Sequence, residues 1–230
     1  MIEYAGTDTV IISASILAAN LLEIGADLKR VKSLGVQRIH LDVMDNHYVP
    51  NLSFGLGFCQ ALKSQQPLPV EVHLMTQPVE STVVQALDAQ ADWIIFHPET
   101  TKSDYHKIVE LIRSGGSRVG LALHPNLSLE WLDQVTCQID QLLVMTVVPG
   151  FSGQSFMDHS LNRIKAARRW IDQTQTACEL AVDGGVGPNN LLAIADCGVD
   201  VAVIGSALFS GDIQQNTLNI KHAIDSDAIY

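Results

Sequence analysis

The chain of 230 residues is 47% hydrophobic and 17% charged, with a formal net charge of −11. This balance describes a core-rich globule rather than a disordered chain, and the negative charge argues against nucleic acid and anionic membranes as partners. Cys59, Cys137, Cys178 and Cys197 form no C-x-x-C pair and read as thiols of a reducing cytoplasm, while Met1 to Leu22 lacks Lys and Arg and is broken by Ser13, Ser15 and Asn20, unlike a signal peptide or membrane span.

Apolar, β-branched runs alternate with amphipathic ones along the chain. The pattern predicts a first strand over Val10–Leu17 and a helix over Asn20–Gly35, with Asn20 as N-cap and Gly35 as its stop. Strand two is expected over Arg38–Asp45, a helix within Phe54–Gln65, strand three over Pro69–Thr76 and a third helix opened by Pro78 and running to about Gln90. Further strands are expected at Trp93–Pro98, Arg118–His124, Gln141–Val147, Glu179–Asp183 and Val201–Ile204. The helices between and after them are expected at Asp104–Gly116, Ser128–Ile139, Ser160–Gln175, Asn189–Gly198 and Ile213–Ile224. Eight strands in strict alternation with helices mean an α/β fold with a parallel sheet, and the count favours a closed (β/α)8 TIM barrel over an open doubly wound sheet. No linker divides the chain, so residues 1–230 read as one domain with a core over about 10–224.

Within strand two, His40, Asp42 and Met44 alternate with Ile39, Leu41 and Val43, so an imidazole and a carboxylate point the same way about 6 to 7 Å apart. Burying a carboxylate costs several kcal/mol unless something meets it. Ser15, His40, Asp42, His73, His97, Met145 and Asp183 all fall toward the carboxyl ends of expected strands, the face on which such barrels carry chemistry. His40, Asp42, His73 and Asp183 together offer two imidazoles and two carboxylates, a mixed N and O set suited to zinc, iron(II), manganese or cobalt. Satisfied core residues are the plainer explanation of any one of them. Two opposed carboxylates are also what a two-base reaction needs, one taking a proton from carbon and the other returning one to the opposite face, with a metal steadying enediolate oxygens. Met44 and Met75 share the face of Asp42 and His73, and Met145 ends strand six; they are either core filler or an apolar collar that excludes water.

Glycine clusters follow the last three strands: Gly150-Phe151-Ser152-Gly153, Asp183-Gly184-Gly185 and Gly205-Ser206. Their backbone N–H groups can approach an anion closely, and barrels often hold phosphate at these loops. None of the three carries Lys or Arg, so amide dipoles would do the holding.

The motifs H-L-D-V-M-D-N-H-Y-V-P-N from His40, E-V-H-L-M from Glu71, F-H-P-E from Phe96, P-G-F-S-G-Q-S-F from Pro149, V-D-G-G-V from Val182 and G-S-A-L-F from Gly205 together resemble the ribulose-phosphate 3-epimerase family over about Ile12 to Phe209. The resemblance implies a TIM barrel of the ribulose-phosphate-binding type that interconverts D-ribulose 5-phosphate and D-xylulose 5-phosphate in the pentose phosphate pathway, with one divalent metal ion per subunit. It implies His40, Asp42, His73 and Asp183 as metal ligands, and Asp42 with Asp183 as the acid/base pair at C3. Ser15 and His73 correspond to substrate contacts, and Met44, Met75 and Met145 to a methionine collar. The loops Gly150 to Gly153, Asp183 to Gly185, and Gly205 with Ser206 correspond to the phosphate side. Ala14, Ala18, Asn20, His124, Val148 and Ser152 depart from the usual pattern, and Ser152 adds a side chain where backbone is expected to approach phosphate. A 3-epimerase of a six-carbon ketose phosphate, of the allulose 6-phosphate type, would keep the same chemistry; a non-catalytic sugar-phosphate binder would have no need of two opposed carboxylates. Exposed apolar helix faces would favour a homo-oligomer. The role of His97 stays open between a partner of the ligands and a packed strand-end histidine.

Overall fold

A computed structural model describes residues 10–102, 104–174 and 177–225; Gln175, the expected end of the sixth helix, and both ends of the expected 1–230 domain lie outside these. Eight parallel strands close in sequence order into a barrel. They are β1 (Ile11–Ser15), β2 (Arg38–Met44), β3 (Val70–Met75), β4 (Trp93–Phe96), β5 (Arg118–Leu123), β6 (Gln141–Met145), β7 (Glu179–Asp183) and β8 (Val201–Ile204). Around them lie α1 (Ile24–Ser33), α2 (Leu56–Gln65), α3 (Glu80–Asp88), α4 (Tyr105–Ser114), α5 (Ser160–Thr174), α6 (Leu191–Ala195), α7 (Ser206–Phe209) and α8 (Ile213–Asp225). Among the described residues no helix is long and apolar enough to cross a membrane.

Alternation along β2 separates two environments. Ile39, Leu41 and Val43 point outward into the large core between strands and helices, whereas Arg38, His40, Asp42 and Met44 point into the barrel. A second apolar cluster of Trp93, Ile95, Ala122, Leu143, Met145, Ala181, Val201 and Val203 fills much of the interior. At the amino-terminal end the interior is charged. The Arg38 guanidinium donates to both oxygens of Glu179 at 2.7 Å and to Glu71 Oε1 at 2.9 Å, and lies 4.2 Å over the Trp93 ring. Glu71 also accepts from Ser13 Oγ at 2.7 Å and from Gln141 Nε2 at 3.1 Å. Every charge in this layer is paired, which is the condition for burying it.

Several boundaries differ from expectation. The chain leaves β1 after Ser15 into a 3₁₀ turn at Ile16–Ala18. Helix α1 starts at Ile24 rather than beside Asn20, whose Oδ1 instead accepts from the Leu22 N–H in the preceding turn. Gly35 does follow the helix end, at φ +88°, the left-handed conformation that glycine adopts without strain. The α-helix expected over Ser128–Ile139 is only a 3₁₀ segment, Leu129–Gln134. β-Branched Val135 and Thr136 stand at its end, and of its own residues only Leu132 is fully buried, too little packing to extend a helix.

Candidate active site

The carboxyl-terminal ends of the strands converge on a cleft lined by Ser15, Asp42, the three methionines Met44, Met75 and Met145, Asp183, and the loops that follow β6, β7 and β8. Strand register sets the arrangement. His40 stands beside Glu71 across β2 and β3, Asp42 beside His73, and Met44 beside Met75, while Met145 stands beside Asp183 across β6 and β7. Interior side chains of these strands therefore come in pairs, and the pairs meet across the barrel.

One ligating atom from each of His40, Asp42, His73 and Asp183 lies within 4.8 Å of the others. His73 Nδ1 is 3.0 Å from Asp42 Oδ1 and 3.8 Å from Asp183 Oδ2; His40 Nε2 is 3.4 Å from Asp42 Oδ1 and 3.9 Å from Asp183 Oδ2. Both imidazoles are fully buried, and Asp183 is the most open of the four, its side chain 15% exposed. His40 Nε2 is buried without a hydrogen-bond partner. An orphaned imidazole nitrogen facing two carboxylates is a poor core arrangement and a good cation site. The cluster could hold a metal ion.

The electrostatics separate the two carboxylates. Burial, reinforced by the Asp42 charge, pushes Asp183 up to about 7. Burial opposes ionisation of Asp42 too, but the charge and hydrogen bonding of His40, then of His73, outweigh it and hold Asp42 well below the usual carboxylate range. Burial likewise works against a charged His40, yet Asp42 and the contacts to Glu71 carry its pKa well above the ordinary value. The carboxylates thus favour positive charge at this place, which a metal cation would also supply. His73 is lowered, chiefly by burial.

Both imidazoles are braced from behind by residues that the sequence reading did not assign. His40 Nδ1 lies 3.4 Å from Glu71 Oε2, and His73 Nε2 lies 3.0 Å from His97 Nε2. His97, fully buried, is lowered by that burial to about 4. Ser15 Oγ donates to Asp42 Oδ2 at 2.9 Å. The Thr146 hydroxyl donates to the Asp183 carbonyl at 2.9 Å and also to that of Gly184, tying down the loop behind Asp183. The signal that could have found Glu71 and Arg38 is the same alternation: Glu71 stands two residues before His73 in E-V-H, and Arg38 two before His40.

Met44 and Met75 pack with Val49, Leu17 and Tyr48 above the cluster, while Met145 belongs to the interior core, so the methionines cover the site and also fill space. The glycine loops lie where expected. Gly185 has φ +67°, and a Cβ there would stand 2.3 Å from the Phe156 backbone nitrogen. The N–H groups of Gly185 and Gly205 meet no acceptor among the described residues. Gly150 and Gly153 also have positive φ, but Ser152 does not, and its side chain is exposed at the cleft edge.

A sequence profile described as the "Ribulose-phosphate 3 epimerase family" matches residues 11–209. The ribulose-phosphate 3-epimerase of Buchnera aphidicola subsp. Baizongia pistaciae is 42% identical over 203 residues, 87% of this chain and 89% of that protein. The protein of the same name from Escherichia coli K12 is 40% identical over 200 residues, 86% of this chain and 88% of its own. A solved structure of 3-keto-L-gulonate-6-phosphate decarboxylase from Vibrio cholerae superposes with a TM-score of 0.65 at 18% identity, covering 95% of this chain and 98% of that one, a likeness of fold alone. The chain is an isomerase acting on carbohydrates and belongs to the ribulose-phosphate 3-epimerase family.

Proposed function

We propose that the protein interconverts D-ribulose 5-phosphate and D-xylulose 5-phosphate, the step this family serves in the pentose phosphate pathway, by moving a proton at C3 between two carboxylates. The observation that carries this is the pair Asp42 and Asp183, carboxylates from β2 and β7 that meet in one cluster within 4.8 Å at the floor of the cleft. Two carboxylates so placed can serve as base and acid toward one carbon between them. Asp42, ionised, takes the C3 proton on one face of the sugar; Asp183, able to hold a proton near neutral pH, returns one to the other face. Run in reverse, the roles exchange. Ser15, hydrogen-bonded to Asp42, keeps that carboxylate oriented and remains available to a substrate oxygen.

The two imidazoles and two carboxylates fit one divalent ion, zinc, iron(II), manganese or cobalt, held by His40, Asp42, His73 and Asp183. Bound there, it would supply Lewis-acid charge to the enediolate that forms once C3 loses its proton. Met44, Met75 and Met145 exclude water from that carbanion-like species. The phosphate lies against the backbone N–H groups of Gly185, Gly205 and Ser206, with the Gly150–Gly153 loop as the facing wall. The four free cysteines agree with a cytoplasmic enzyme.

The test is turnover of purified, metal-loaded protein with D-ribulose 5-phosphate and, separately, with a six-carbon ketose phosphate. Faster conversion of the pentose is expected. Conversion of the hexose alone would reassign the substrate, and binding of either without turnover would leave a sugar-phosphate binder.

A further inference from the structure

His73 has both ring nitrogens engaged: Nδ1 stands 3.0 Å from Asp42 Oδ1 and Nε2 stands 3.0 Å from His97 Nε2. A neutral imidazole has one N–H donor and one lone pair. If Nδ1 is to offer its lone pair to a metal, Nε2 must carry the proton and His97 Nε2 must accept it. The His97 proton is then on Nδ1, which is buried without a hydrogen-bond partner and has the Glu99 carboxylate as its nearest charge, Oε1 standing 3.6 Å away. That same Glu99 oxygen accepts from the Tyr48 hydroxyl at 2.8 Å, and the Tyr48 ring lies against His97 with centroids 5.1 Å apart. The protons of His97 and Tyr48 then both point toward the Glu99 carboxylate, which only accepts.

Resting on the metal reading above, we propose that His97 is a positioning residue that fixes His73 in the tautomer presenting Nδ1 to the metal, the Glu99 charge favouring a proton on the far nitrogen of His97. His40 is held in the opposite sense. Its Nδ1 rests 3.4 Å from Glu71 Oε2, leaving Nε2 toward the cluster. The two ligating histidines thus use different nitrogens because their supports lie in different places, one in the charged layer at the bottom of the barrel and the other on the neighbouring strand end. Groups behind a metal ligand set its tautomer and orientation, and losing one typically costs 10- to 100-fold in metal affinity (roughly, across metalloproteins). A packed histidine of no such role would change affinity little once removed.

Two measurements on the intact chain decide it. Long-range proton–nitrogen NMR of the zinc-loaded protein distinguishes imidazole tautomers directly, and His73 is expected as Nε2–H with His97 as Nδ1–H. A His97 found as Nε2–H overturns the proposal without any variant. Zinc affinity is then measured by chelator competition for wild type, His97→Gln and His97→Leu, with unfolding temperature as a check on folding. His97→Gln, whose amide oxygen can reach the place of Nε2, is expected to bind within a few-fold of wild type, and His97→Leu about 10- to 100-fold more weakly. Should His97→Leu not fold, Glu99→Gln serves in its place, with a smaller weakening expected. Equal affinity for all variants, or equal loss in Gln and Leu, overturns the proposal. A wild-type protein that takes up no zinc, manganese or cobalt would instead remove the metal reading beneath it, an outcome plainly different from an altered tautomer.

Discussion

Asp42 and His73 face each other across β2 and β3, and their side chains meet at 3.0 Å. Because side chains on a strand alternate, a one-residue slip of either strand would turn that strand's member of the pair away from the barrel axis. The register that closes the barrel is therefore the same register that assembles the proposed site.

Replacing either carboxylate tests the proton-transfer roles. Asp42→Asn and Asp183→Asn each leave a side chain of similar size but no base, and each is expected to lower kcat by at least about 100-fold. Circular dichroism and thermal unfolding would report that the barrel persists. Near-normal kcat in either variant would remove that residue from the chemistry.

Metal binding should be visible as stability. Zinc or manganese at 100 times its dissociation constant stabilises a folded protein by about 2.7 kcal/mol, a rise of about 5 to 10 °C for a chain of this size. The rise is expected in wild type and absent in His40→Ala. A shift of the same size in both proteins would mean the ion sits elsewhere.

Glu71 gives a pH dependence whose sign is fixed. Burial opposes its ionisation, but the hydrogen bond and charge of His40, then Arg38 and Ser13, bring its pKa down to about 2 from an ordinary 4.5. A carboxylate lowered on folding contributes stability that is full above its unfolded pKa and is lost as pH falls from about 4.5 toward 2. Urea midpoints of wild type should therefore drop more steeply over that window than those of Glu71→Gln. At neutral pH the variant should be less stable by about 3 to 5 kcal/mol, because Arg38 loses one of its two buried carboxylate partners. Parallel pH profiles would contradict the pairing.

The loop after β7 is expected to control phosphate binding. Gly185→Ala places a Cβ against the Phe156 backbone and forces a residue to hold φ +67°, at a cost of about 1 to 3 kcal/mol. The local shift should raise KM for the sugar phosphate more than it lowers kcat. Ser152→Gly, at an exposed position with an ordinary backbone, should change neither appreciably. An unchanged KM in Gly185→Ala would move the phosphate elsewhere.

The parts legible in the sequence are those set by periodicity. Alternation put His40 with Asp42 on one face, chain order put them with His73 and Asp183 at strand ends, and closure of the barrel did the rest. The contacts behind them were less legible. That Glu71 backs His40 and His97 backs His73 depends on ring rotation and on which neighbouring strand stands beside which, neither of which is carried by spacing within one strand. The segment Ser128–Ile139 misled because Leu129, Trp131 and Leu132 imitate an amphipathic helix, while β-branched Val135 and Thr136 and sparse burial let it close only as a 3₁₀ turn. Ser152 similarly marked a departure from a motif without revealing that its side chain points to the exposed edge of the cleft.

The central claim is that Asp42 and Asp183 work on opposite faces of one carbon. Proton NMR of D-ribulose 5-phosphate with the metal-loaded protein in D2O, beside an Asp183→Asn sample, tests it most directly. The account predicts D-xylulose 5-phosphate carrying deuterium at C3 in wild type, and loss of that product in the variant. Net epimer formed at an undiminished rate by Asp183→Asn, or wild-type product that keeps its original hydrogen at C3 throughout, would contradict it.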